Sequence, residues 1–345
     1  MSAWPNPRNN HIQKLIAVGS ILIGSFVTVE AASSATDRGP GFAGVEFLGS
    51  SQLSRVEMDK DLKLHVGAPT EAASKALERL KLDFDKRALK ANVDFVFEGG
   101  QYFIAVDVIE SSAQSLPNRH LEHPEHVALP NEKPFALLDE LKLRLQKLAD
   151  EGKTVTESYK DGVKEFSDFA CNRTAELLSH ELSGEKPYLF RILATDPNNE
   201  RRAAAVEMLN WTDDPVRNCF ELIPALDDSD MHVRMAAAKY IWARTAMLPD
   251  DFPFDSLLEA LSRELSRPSH HDRVRAMAAL LALAKRNSDS ISGIKSFDET
   301  KLRDIANGSI IPAVQNLAKQ LVALCQNPPP IMRGQKRNSV DMGGF

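Results

Sequence analysis

Leu222-Ile223-Pro224-Ala225-Leu226-Asp227-Asp228-Ser229-Asp230-Met231-His232-Val233-Arg234-Met235-Ala236-Ala237-Ala238 reads, in order, as a short apolar helix, an acidic turn and a small-residue helix. The same order returns in Leu257-Leu258-Glu259-Ala260-Leu261, followed by Ser269-His270-His271-Asp272-Arg273-Val274-Arg275-Ala276-Met277-Ala278-Ala279-Leu280. The two Val-Arg pairs stand 41 positions apart. Upstream, Leu189-Phe190-Arg191-Ile192-Leu193 and Arg201-Arg202-Ala203-Ala204-Ala205 fit the pattern, with Arg202 32 positions before Arg234. Downstream, Val314-Gln315-Asn316-Leu317-Ala318 follows Val274 by 40. Self-similarity at such a period marks stacked supersecondary units, none of which can bury its apolar face alone. Four helix pairs are expected over 187–326.

Alanines let the second helix of each pair approach its neighbours, while Leu and Ile fill the layer between. Acidic turn residues suit the helix start that follows, where N–H groups are unpaired and the dipole is positive. Ser269 with Asp272 three residues on has capping-box spacing. These features resemble HEAT-type repeats over about 140 residues. The resemblance implies an α-solenoid whose paired helices stack into an extended curved surface. It implies repeat positions at Val233, Arg234, Ala237, Val274 and Arg275, with Arg234 and Arg275 aligned along the stack and paired with turn acids such as Asp228. The first unit departs from the pattern with Arg201 where valine is expected, and the last with Gln315 where arginine is expected. Terminal units are commonly atypical because they cap the stack. An extra loop over 245–254 contains Pro249 and Pro253, and Asn327-Pro328-Pro329-Pro330 closes the array before a disordered tail to 345.

Residues 43–130 read as a small α+β domain expected to melt separately. Val56-Glu57-Met58 and Leu62-Lys63-Leu64-His65-Val66 alternate across Asp59-Lys60-Asp61 as a hairpin. Thr70 is the expected N-cap of a helix with Ala73, Ala76, Leu77 and Leu80 on one face. Strands over 93–97 and 102–109 flank Gly99-Gly100, which supplies the positive φ of a tight turn. After a Pro- and His-rich loop, 134–184 reads as a helical hairpin. Its first helix opens at Pro134 and carries Leu138, Leu141, Leu145 and Leu148. Its second follows Gly152, with Tyr159, Val163, Phe166 and Ala170 on one side. The fold class is therefore mainly α: a HEAT-like solenoid preceded by an α+β domain and a helical hairpin.

The 345-residue chain holds 42 Lys+Arg against 48 Asp+Glu, a net charge of −6, with 43% apolar and 26% charged residues. This is globular composition, and the acidic balance argues against nucleic acid as a partner. Arg8 and Lys14 precede an uncharged run over 15–29, followed by Val29-Glu30-Ala31. A basic start, a short apolar stretch and a small-x-small exit make 1–31 a signal peptide, with 32–42 as linker. The run is shorter than a spanning helix needs. Export to the periplasm or outside is expected, and an uncleaved membrane anchor is the alternative. Cys171, Cys219 and Cys325 are expected as buried thiols.

Chemistry-bearing motifs are few. Gly39-Pro40-Gly41-Phe42-Ala43-Gly44 has dinucleotide-fingerprint spacing but lacks the preceding strand and following helix the motif requires. His120, His123 and His126, with Glu122 and Glu125, are the densest candidate metal ligands, since transition metals favour imidazole. His270-His271 at a helix start is expected to be a pair of neutral surface imidazoles. Asn172, Asn210 and Asn307 open glycosylation sequons in or beside expected helices. The reading is an exported, non-enzymatic protein-binding scaffold without a cofactor. The alternative is a metal-binding protein or metal-dependent enzyme centred on 120–126.

Overall fold

The computed structural model describes residues 41–48, 60, 62–87, 89–109, 119, 121, 123–286 and 288–327. The expected signal peptide over 1–31, residues 32–40 and 56–58, and the expected tail from 328 lie outside the described residues. In the N-terminal unit, β1 (Gly41–Leu48) runs parallel to the central strand, helix α1 (Thr70–Lys86) follows, and β2 (Lys90–Glu98) and β3 (Gln101–Ile109) pair antiparallel in the order β1-β3-β2. Gly99 and Gly100 take φ of +58° and +73°, the conformation of a two-residue hairpin. Period-two alternation then sorts β3. Tyr102, Ile104, Val106 and Val108 pack with Ala73, Ala76, Leu77, Leu80 and Phe84 of α1, whereas Phe103 and Ala105 join the core of the helical half. Asp107 shares the parity of Phe103 and Ala105 and is fully buried.

Three local expectations are corrected. Residues 62–66 form no hairpin strand; Lys63 sits at φ +52°, and Gly67 and Ala68 bond to Phe42 of β1. The third strand comes instead from the segment read partly as linker, because Phe42 and Val45 bury their side chains in the sheet core. The described part of the glycine-rich motif, Gly41 to Gly44, therefore lies within β1. Pro69, not Thr70, occupies the α1 N-cap, and Thr70 is the first helical residue.

Helix α2 (Lys133–Asp150) opens at Pro134 and buries Leu137, Leu138, Leu141 and Leu148, with Leu145 partly covered. Helix α3 (Phe169–Glu181) packs against it. The second helix expected after Gly152 is not formed over 157–166. A hairpin of β4 (Glu157–Lys160) and β5 (Val163–Phe166) stands there, so Tyr159, Val163 and Phe166 do not share a helix face with Ala170. Asp161 and Gly162 take φ of +52° and +82°, and that turn sets the register.

The C-terminal part is a stack of four helix pairs. They are α4 (Lys186–Thr195) with α5 (Asn199–Met208), α6 (Pro215–Leu222) with α7 (Met231–Arg244), α8 (Phe254–Ser266) with α9 (His270–Arg286), and α10 (Ser288–Gly308) with α11 (Pro312–Gln326). A 3₁₀ turn, Ile223–Asp227, prolongs α6. Successive second helices pack on each other, α5 on α7, α7 on α9 and α9 on α11. Ala205, Ala237, Ala238, Ala276 and Ala279 are fully buried in these helices, so backbones approach where a larger side chain would hold them apart.

Candidate functional site

Each second helix starts from a turn, and the four turns share one hydrogen-bond plan. The caps are Asn198, Asp230, Ser269 and Ile311. Four residues past each cap, a side chain donates to the carbonyl six residues before it. Arg202 reaches Asp196 O, Arg234 reaches Asp228 O, Arg273 reaches Arg267 O and Gln315 reaches Ser309 O, at 3.0, 2.8, 3.1 and 3.3 Å. Counting from the cap makes Arg273, not Arg275, the third member of this ladder. The repeated Val-Arg pair suggests a register two residues out, and Val274 is only partly buried where Val233 is fully so. Arg202 also grips the Asp228 carboxylate of the next turn at 2.8 Å, and Arg234 grips Asp272 at 2.6 Å. Asp228 is thus the carboxylate partner of Arg202 rather than of Arg234.

The edge formed by these turns is covered by the chain's own N-terminal part. An extended strap crosses the first two. Arg119 N donates to Asp227 O, Glu125 N to Thr195 O, and Val127 N to the buried Asp196 carboxylate. Arg201 clamps the strap, donating to Val127 O and Glu132 and stacking on Phe135, which is why arginine stands where the repeat pattern calls for valine. The sheet crosses the last two turns. Asp107 accepts from His270 N at 2.8 Å, and Glu98 from Ala313 N at 2.9 Å. Glu46 accepts from Ser309 Oγ, Ile310 N and Ile311 N. Carboxylates therefore sit where helix N-termini leave N–H groups unpaired.

His270 and His271 are buried at this junction rather than on the surface. Burial drives His270 down to about 3. Burial also works against His271, but its hydrogen bond to Asp94, at 3.1 Å, holds it above the usual imidazole value. Burial pushes Asp107 up to about 7.

A second charged centre lies under the β4–β5 hairpin. Glu157 takes Lys164 at 2.7 Å and Lys239 at 2.9 Å. Burial opposes its ionisation, yet the two ammonium groups hold it down to about 2. Burial and then Lys164 bring Lys239 to about 8. Arg275 is 4% exposed, and burial lowers it to about 10 beside Glu157 and Tyr159. It belongs to this centre and not to the turn ladder. Arg244 ties the hairpin down, donating to Gly162 O at 2.6 Å and stacking on Tyr240.

The proposed metal ligands are not assembled by what is described. His120 and Glu122 lie outside the described residues, His123 is exposed, and His126 pairs with Asp196 at 3.2 Å. Among the described residues no three His, Cys, Asp or Glu side chains form a cation cage, and no helix is long and apolar enough to cross a membrane. Cys171, Cys219 and Cys325 are buried, and burial pushes the first two thiols up to about 11 and about 12. Asn172 and Asn307 lie in α3 and α10, and Asn210 lies in a 3₁₀ turn. A cleft opens between β1, the end of α8, the start of α9 and the C-terminal end of α10, lined among others by Glu46, Arg273, Lys301 and Asp304.

No known family profile matches the chain, and no curated protein matches it. Among solved structures, a designed armadillo repeat protein is similar at 17% identity, over 57% of this chain and 95% of that one, with a TM-score of 0.36. A superposition that loose adds nothing to the architecture already described.

Proposed function

We propose that the chain is an exported, non-enzymatic scaffold that holds another protein on a HEAT-type array. One observation carries this reading. The turn edge is closed by the chain itself, while Tyr188 on α4 and Phe220 on α6, both first helices, remain 39% and 51% exposed. Exposed aromatic side chains on a rigid stack are the residue type that anchors protein interfaces. The HEAT assignment is supported by the common side-chain position four residues past each cap. Export is supported by the basic and apolar sequence of 1–31.

Affinity capture from the exported fraction, with wild type and a Tyr188→Glu/Phe220→Glu variant, tests the reading. A protein partner retained by wild type and lost by the variant is expected. Repeated capture of no protein by wild type, or equal capture by both, contradicts it. Mass spectrometry of the mature chain should find its N-terminus near Ala32, and an intact Met1 contradicts export.

A further inference from the structure

Arg273 occupies the third rung of the ladder without what the first two rungs hold. Arg202 and Arg234 each place Nε and Nη2 on a carboxylate of the following turn or of the helix start just after it. The matching stretch after Arg273, from Gly308 through the start of α11 to Val314, contains no acid. Arg273 gives Nε to Arg267 O, and among the described residues its remaining N–H groups meet no acceptor. Glu46 enters the same turn from β1 and, like Asp107, acts on Arg273 by its charge without a hydrogen bond to it, its Oε2 being engaged by Ser309 Oγ, Ile310 N and Ile311 N.

At this incomplete rung lies the cleft, with a volume of about 420 Å³ and an apolar lining that includes Leu48, Leu265, Ile305 and Ile310. Small-molecule sites fall in this size range and pair apolar walls with a few placed polar groups. A guanidinium offers a planar fork that matches a carboxylate in two parallel hydrogen bonds. Lys301 adds a second cation, whereas Glu46 and Asp304 set a limit on further negative charge.

We propose that this cleft binds a small monocarboxylic acid, its carboxylate on Arg273 and its apolar body along Leu48, Ile305 and Ile310. The bound acid supplies the carboxylate that Asp228 and Asp272 supply on the rungs before it. A dianion is disfavoured by Glu46 and Asp304.

Calorimetric titration of the full chain with hexanoate and 4-phenylbutanoate, against hexanamide and 4-phenylbutanol, tests the site. Saturable binding of one acid per chain is expected, at least tenfold tighter than the neutral analogues. Arg273→Gln should weaken it at least tenfold, and Arg273→Lys should recover part of the loss. Gly308→Phe provides a test that leaves the ladder intact, because a Cβ on Gly308 meets nothing within 4 Å. Its ring should fill the cleft and abolish binding. Failure of wild type to bind at millimolar acid, equal affinity for the neutral analogues, or binding unchanged in Arg273→Gln or Gly308→Phe overturns the proposal. Should Arg273→Gln fail to fold, the neutral analogues and Gly308→Phe decide.

Discussion

Arg234 shows how one side chain fastens two units. Its Nη1 holds the carbonyls of its own turn, and its Nε and Nη2 hold Asp272 of the next, with the pair almost wholly buried. Removing one partner of a buried ion pair strands the other charge, at a cost of ~3–5 kcal/mol. Arg234→Met should lose that much in urea unfolding. Asp107 makes a pH prediction. Its folded value of about 7 lies above the ordinary carboxyl value near 3.9, so the native state binds its proton more tightly than the unfolded chain. Its contribution to stability is fully present below about pH 4 and is lost as pH rises through about 7. Asp94, His270, His271 and Arg273 face it, and His270 acts with the opposite sign because its value is depressed. The difference between wild type and Asp107→Asn isolates the carboxyl, since Asn keeps an acceptor for His270 N. Between pH 4.5 and 7.5 wild type should lose stability relative to the variant. A constant difference would mean Asp107 is not a buried acid.

Among the elements, the β4–β5 hairpin separates what the sequence reveals from what it hides. Asp161-Gly162 between Tyr159 and Val163 is itself a hairpin signal, but apolar residues at Tyr159, Val163, Phe166 and Ala170 also satisfy helical spacing. The turn chemistry wins because Gly162 reaches φ +82° at no steric cost. A Cβ there would lie 2.5 Å from Pro215 Cγ, whereas one on Gly152, at φ +71°, meets nothing. Gly162→Ala should therefore cost ~1–3 kcal/mol more than Gly152→Ala in thermal unfolding, from overpacking added to the same backbone strain. Equal costs would mean the hairpin is not seated on the array. The helix pairs were legible because small and large residues recur with the caps, and Gly99-Gly100 marked its hairpin directly. Ala237, fully buried as the repeat pattern requires, should lose ~1–3 kcal/mol when changed to Leu. The shift from Arg275 to Arg273 was readable only by counting from Ser269, because the local Val-Arg repeat points to the wrong register.

At the scale of the molecule, the N-terminal unit acts as a cover rather than a separate body. Glu46, Glu98 and Asp107 cap turns that lie 163 to 265 residues further along the chain. No local pattern encodes such contacts, so the β2–β3 hairpin was legible but neither its third strand nor its seat was. Phe103 and Ala105 continue the core of the array into the sheet, and the α+β unit should unfold with the last two repeats instead of melting alone. The closed turn edge is tested most directly by amide hydrogen exchange, read by mass spectrometry over 305–318 in wild type and Glu46→Ala. Ile310 and Ile311 bond to Glu46, so protection there should fall at least tenfold in the variant while that of 199–208 is unchanged. Equal protection in both proteins would show that the sheet does not hold this edge, and would contradict the account.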